Sequence, residues 1–107
     1  MLRILDRERA SAPDLINAEV LSTLRRLVAA GVVEPTRARL AVADLAASDV
    51  RRVRTGPLTA RAWDLRHNLT PYDAMYVALA ERLECAILTL DGRLARAPTL
   101  TVPIITI

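Results

Sequence analysis

Apolar residues recur along most of the chain at the three- and four-residue spacing of helices, interrupted by short apolar runs of strand length. Ile16, Val20, Leu24 and Leu27 or Val28 form one stripe in a segment that Asp14 can cap and Gly31 can close. This predicts a helix from about 14 to 30. After Pro35 and Thr36, residues Ala38, Ala41, Val42 and Leu45 fall at i, i+3, i+4 and i+7, which predicts a second helix with one buried face. Leu58, Ala62, Leu65 and Leu69 give another stripe beyond the Gly56-Pro57 break. Thr70 is a good N-cap and Pro71 suits the first helical position, so a further helix is expected to about Leu83. Residues 1 to 10 carry Leu2 and Leu5 among charged neighbours and read as the end of an amphipathic helix.

Strand patterns fill the gaps. Ser11-Ala12-Pro13 is a short extended segment, and Val50 to Arg54 reads as an Arg-rich strand at a sheet edge. Ala86 to Leu90 is an apolar run bounded by Asp91-Gly92, the pattern of a strand buried in a parallel sheet. A helical turn over Arg93 to Ala95 and a last strand over Val102 to Ile107 follow. Short strands alternating with longer helices predict a layered α/β fold. Internal repeats and low-complexity stretches are absent, and 107 residues suit one domain over 1–107.

Composition sharpens this picture in three places. Phe is missing, and one Trp and two Tyr are the only aromatics, so the core must be aliphatic. The net charge of +3 and pI near 10.0 come entirely from Arg, which grips phosphate bidentately. That balance permits a nucleic-acid or acidic-protein partner, and a GC-rich coding bias would produce it equally. Cys85 is the only cysteine; no intrachain disulfide is possible, and LECAIL reads as the setting of a buried small residue. No apolar run approaches the roughly 18 to 20 residues of a membrane span, and MLRILDRERA is too charged for a signal-peptide core. A cytoplasmic protein without membrane contact is expected.

Three acids and one hydroxyl are candidates for chemistry, each with a plain structural role beside it. Glu19 lies near the stripe of Ile16, Val20 and Leu24, where a carboxylate needs a partner; it also suits the positive end of its helix. Asp73 stands three residues after Thr70, so it is either a capping-box acid or a carboxylate presented at the ligand-binding edge of a sheet. Asp91 follows directly on the strand over 86–90, as an active-site acid or as half of an Asp-Gly turn. Thr89 is either an orienting hydroxyl for a water or an ordinary β-branched strand residue. Together the acids offer hard oxygen ligands for Mg²⁺ or Mn²⁺, which suit phosphodiester hydrolysis. One His and one Cys give no credible zinc site, a nucleophilic triad would have to rely on His67, and three scattered glycines form no phosphate loop.

Three segments, APDLINAEVLSTLRRL at 12 to 27, LTPYDAMYVALAERL at 69 to 83 and AILTLDGRLARA at 86 to 97, resemble the PIN-domain family, specifically the VapC ribonuclease toxins of bacterial toxin–antitoxin pairs. The resemblance covers essentially the whole chain. It implies a three-layer fold in which a short parallel sheet is flanked by helices. It also implies Mg²⁺-dependent RNA cleavage with Glu19, Asp73 and Asp91 as metal ligands and Thr89 as the accompanying hydroxyl. A VapB-type antitoxin and a homodimer are its implied partners.

One departure stands at the N-terminus. Family toxins begin with a hydrophobic strand, central in the sheet, that ends in Asp-Ala-Ser or Asp-Ser-Ser and supplies a further metal ligand. Nothing in this sequence matches it, and Asp6 and Asp14 lie in the wrong contexts to replace it. The resemblance therefore implies an N-terminally truncated domain lacking one ligand, with weak or absent cleavage unless that strand is supplied. The alternative function is an inactive homologue that binds an antitoxin or dimerises.

Overall fold

The computed structural model describes residues 10–89 and 104–106. In chain order the elements are β1 (Ser11–Pro13), α1 (Ile16–Ala29), α2 (Pro35–Ala47), β2 (Arg51–Val53), a 3₁₀ turn (Gly56–Leu58), α3 (Thr59–Asp64), α4 (Pro71–Leu83), β3 (Ile87–Thr89) and β4 (Ile104–Thr106). The mixed α/β architecture with short parallel strands agrees with the expected fold class. Residues 1–9 of the helix expected over 1–10 and the turn at 93–95 lie outside the described residues; Ala10 is not helical. Contacts divide the chain into two compact units, residues 15–49 and the remainder.

In the larger unit β1 and β2 run parallel, pairing Ser11 with Arg51, Ala12 with Arg52 and Pro13 with Val53. The Arg51 N–H donates to Ala10 O at 2.9 Å and the Asp14 N–H to Val53 O at 2.8 Å, so residues 10 and 14 face β2. By strand alternation Pro13 then faces away from β2, and its missing N–H costs this ladder nothing. Asp14 was expected to cap α1. Its backbone instead extends the ladder, and α1 starts two residues later with Leu15 as an N-cap that makes no side-chain cap bond. β3 and β4 form a second parallel pair, Ile87 opposite Ile104, Leu88 opposite Ile105 and Thr89 opposite Thr106.

Helix α4 is the centre of this unit. Ala74 and every residue from Tyr76 to Ala80 are buried, so the middle of the helix is covered on all sides, as expected of an interior helix. It packs against α3, β1 and β3. Ala62, Leu65, Ala74, Val77, Ala80 and Cys85 make one core cluster, and Leu58, Ala78 and Leu79 make another. Alanines at 74, 78 and 80 keep the approach close where a core without Phe has little bulk to fill space. The stripe read from Leu58, Ala62, Leu65 and Leu69 is real, although α3 itself ends at Asp64: Leu65 and Arg66 donate to Ala62 and Trp63 three residues back, tightening the chain into turns. Arg61 then clamps α3 to α4 with two parallel bonds to Glu81, Nε to Oε1 at 2.7 Å and Nη2 to Oε2 at 2.9 Å. That hydrogen-bonded carboxylate raises the Arg61 pKa. The Arg61 side chain is 42% exposed, so solvent screening limits the pair to roughly 0.5 to 1 kcal/mol.

The smaller unit is the hairpin of α1 and α2. Gly31 at φ +74° ends α1 in a left-handed turn: its N–H donates to Val28 O and the Val32 N–H to Leu27 O, the paired bonds of a Schellman motif. Glu34 is the extended N-cap of α2, followed by Pro35 in the first helical position. Only Ile16 and Ala38 in this unit are fully buried; Val20, Leu24, Val42 and Leu45, expected on buried faces, are half-buried. A groove of about 650 Å³ in this hairpin is lined mainly by Leu21, Leu24, Val28, Ala38 and Val42. No helix of the described residues is long and apolar enough to cross a membrane.

Candidate active site

Two of the three candidate acids lie within the described residues, each in the first turn of a long helix. Asp73 is the third residue of α4, and its position is fixed from the backbone outward. Thr70 is extended at φ −63° and ψ 158°, and its Oγ1 accepts the Asp73 N–H at 3.2 Å. Pro71 presets the helical φ of the first position, and Ala74 N–H closes on Thr70 O at 2.9 Å. The expected cap is therefore formed, and it leaves the half-buried Asp73 at the positive end of a 13-residue helix. Thr70→Ala removes this acceptor and should cost about 1 kcal/mol of stability, which Thr70→Ser should largely restore in thermal unfolding.

Glu19 lies in the first turn of α1, half-buried, with its N–H donating to Leu15 O at 3.0 Å. It belongs to the 15–49 unit and Asp73 to the other. Thr89 ends β3, opposite Thr106 of β4. Asp91 lies outside the described residues, two positions beyond that strand end. Among the described residues, no group of three or more His, Cys, Asp or Glu side chains is arranged to hold a metal ion. The donor chemistry fits a hard ion: both described candidates are carboxylates at half-buried positions, and Mg²⁺ takes such ligands together with water.

One feature of this region escaped the sequence reading. Trp63 is 65% exposed, and the Arg66 guanidinium lies over its ring at 4.4 Å from the centroid. The only available signal was indirect, a Trp on the polar side of the stripe formed by Ala62 and Leu65.

A PIN-domain model matches residues 1–100 of the chain. The chain belongs to the PIN-domain family. Its similarity to individual PIN-domain relatives is substantial. Ribonuclease VapC1 of Mycobacterium tuberculosis is 43% identical over 98 residues, covering 91% of this chain and 74% of the relative. VapC ribonuclease Mb0985 of Mycobacterium bovis is 38% identical over 106 residues, covering 94% and 84%. Ribonuclease VapC12 of Mycobacterium tuberculosis is 36% identical over 95 residues, covering 89% and 74%. Membership of the PIN-domain family through VapC relatives agrees with the resemblance drawn from the three sequence segments.

Proposed function

We propose that this PIN-domain chain is a metal-dependent endoribonuclease of the VapC type, acting as the toxin of a toxin–antitoxin pair. The observation that carries the reading is the identity of 43% to a VapC ribonuclease across 91% of the chain. Glu19, Asp73 and Asp91 are assigned as the acids that hold Mg²⁺, with Mn²⁺ as a substitute. Thr89 is assigned as the supporting hydroxyl. A bound divalent ion would polarise the phosphate and lower the pKa of water beside it. The chain's own contribution is placement. Thr70 and Pro71 fix the helix start that carries Asp73, and so set the backbone from which its carboxylate projects. Exposed arginines grip the flanking phosphates. Water attacks phosphorus, one P–O bond breaks, and the fragments leave as a phosphate monoester and an alcohol.

The proposed partners are the RNA substrate, a VapB-type antitoxin and a second copy of the chain. The groove in the α1–α2 hairpin supports the antitoxin: it is apolar, with Arg25 and Arg39 in its lining, and so suits an amphipathic segment with acidic edges. The enzymatic reading is tested with an end-labelled single-stranded RNA. For the chain supplied with an N-terminal strand ending in Asp-Ala-Ser, cleavage is expected in Mg²⁺, lost on adding EDTA and restored by excess Mg²⁺; without that strand it is expected to be weak or absent. Cleavage by the strand-supplied chain that persists in EDTA, or is absent in both Mg²⁺ and Mn²⁺, would contradict the reading.

A further inference from the structure

The chain has only three aromatic residues, one Trp and two Tyr, yet Trp63 and Tyr72 are 65% and 61% exposed. Tyr76 is buried in the core, whereas Trp63 stays outside although burying large aromatic surface is strongly favourable. Trp63 is also held. The Arg66 Nη1 donates to Trp63 O at 3.0 Å while the guanidinium covers the ring of the same residue at 4.4 Å. Those two contacts fix Arg66 against one face of the indole, and the residue as a whole remains 65% exposed. The neighbouring carboxylate, Asp64, interacts electrostatically with Arg61.

The position of this pair in the fold gives it meaning. Trp63 is the penultimate residue of α3 and Asp73 the third residue of α4. The two helices pack together, with Arg61 against Glu81, and Leu65 and Ala74 in one cluster. They are therefore antiparallel, and Trp63, Arg66, Tyr72 and Asp73 all lie at the connecting end of one helical hairpin.

We propose that Trp63, backed by Arg66, is a stacking platform for an unpaired RNA base beside the scissile phosphate. Resting on the ribonuclease reading, it adds a substrate-positioning residue outside the acidic set. Every base has a π-face and single-stranded RNA is commonly read by stacking on aromatic and guanidinium planes, whereas a paired duplex hides those faces. The platform thus selects single-stranded substrate and registers one base against the phosphate to be cut. A guanidinium already seated on the indole loses little further freedom when the base arrives.

Trp63 is the only Trp, so its fluorescence reports the platform directly. The full chain is titrated with a short single-stranded oligoadenylate in EDTA, where cleavage does not occur. Saturable quenching is expected. By anisotropy of a labelled oligonucleotide, Trp63→Leu should weaken binding on the order of 5- to 100-fold. Trp63→Tyr should restore most of it, with each variant's thermal melting unchanged. Unquenched emission at saturating oligonucleotide, or Trp63→Leu binding within about twofold of the unmodified chain, would overturn the proposal. So would an emission change on dilution without RNA, which would identify a self-association surface. Mg²⁺-dependent cleavage by the strand-supplied chain, measured in parallel, separates the two readings: cleavage with no Trp63 response removes the platform alone, and a Trp63 response without cleavage removes the nuclease alone.

Discussion

Asp73→Asn, made in the chain supplied with the N-terminal acid-bearing strand, is expected to lower Mg²⁺-dependent RNA cleavage by at least about 100-fold, because the ion's contribution to charge stabilisation is worth several kcal/mol. The substitution keeps the shape of the side chain and leaves the backbone N–H that Thr70 accepts, so the start of α4 stays capped. The loss of a negative charge at the helix N-terminus should cost only about 0.3 to 1 kcal/mol. A large activity loss with a small change in melting is the signature of a ligand acid. If Asp73 were solely a capping acid, cleavage by Asp73→Asn would instead follow the small change in stability. Glu84→Gln is the control: Glu84 is exposed at the far end of α4, and its loss should leave cleavage unchanged.

Leu58→Ala is expected to be the costliest single truncation in the core, about 2 to 5 kcal/mol, because Leu58 is among the largest fully buried side chains and is only 2% exposed. Leu58 clusters with Ala78 and Leu79 of α4, and Val53 of β2 packs against that cluster, so the cluster joins the strand pair to the central helix. Against a total stability of about 5 to 15 kcal/mol for a domain of this kind, the variant should unfold at markedly lower denaturant. Chemical denaturation followed by circular dichroism measures it. A midpoint unchanged from the parent chain would show that this cluster contributes little.

The sequence was most legible where the chemistry is local. Thr70-Pro71 announced the start of α4 to the residue, because an N-cap hydroxyl and a proline ring act within one turn. Gly31 announced the end of α1 because few other residues enter the left-handed region cheaply. What failed depended on partners distant in the chain. Asp14 is a good N-cap by type, and only the pairing of β1 with β2, some 40 positions away, turns it into a ladder residue. The length of α3 and its clamp to Glu81 are likewise set by contacts across 20 residues, which no periodicity reveals.

The site was legible as residue types and not as an arrangement. The spacing of Glu19, Asp73 and Asp91 left each with a sound structural role, and family membership argues for the functional one. For Asp73 the two roles are compatible: its backbone N–H completes the cap, a bond that does not use the carboxylate. Trp63 was missed because amphipathic patterning treats a large apolar residue off the stripe as noise.

Divalent-ion binding is the decisive measurement for the ligand set proposed above, Glu19, Asp73 and Asp91. Mn²⁺ titrated into the full chain and followed by electron paramagnetic resonance should show a saturable site. Glu19→Gln, Asp73→Asn and Asp91→Asn should each weaken that site about tenfold or more, on the scale set by loss of one hard oxygen ligand. Mn²⁺ binding that is undiminished in all three variants would rule out this ligand set.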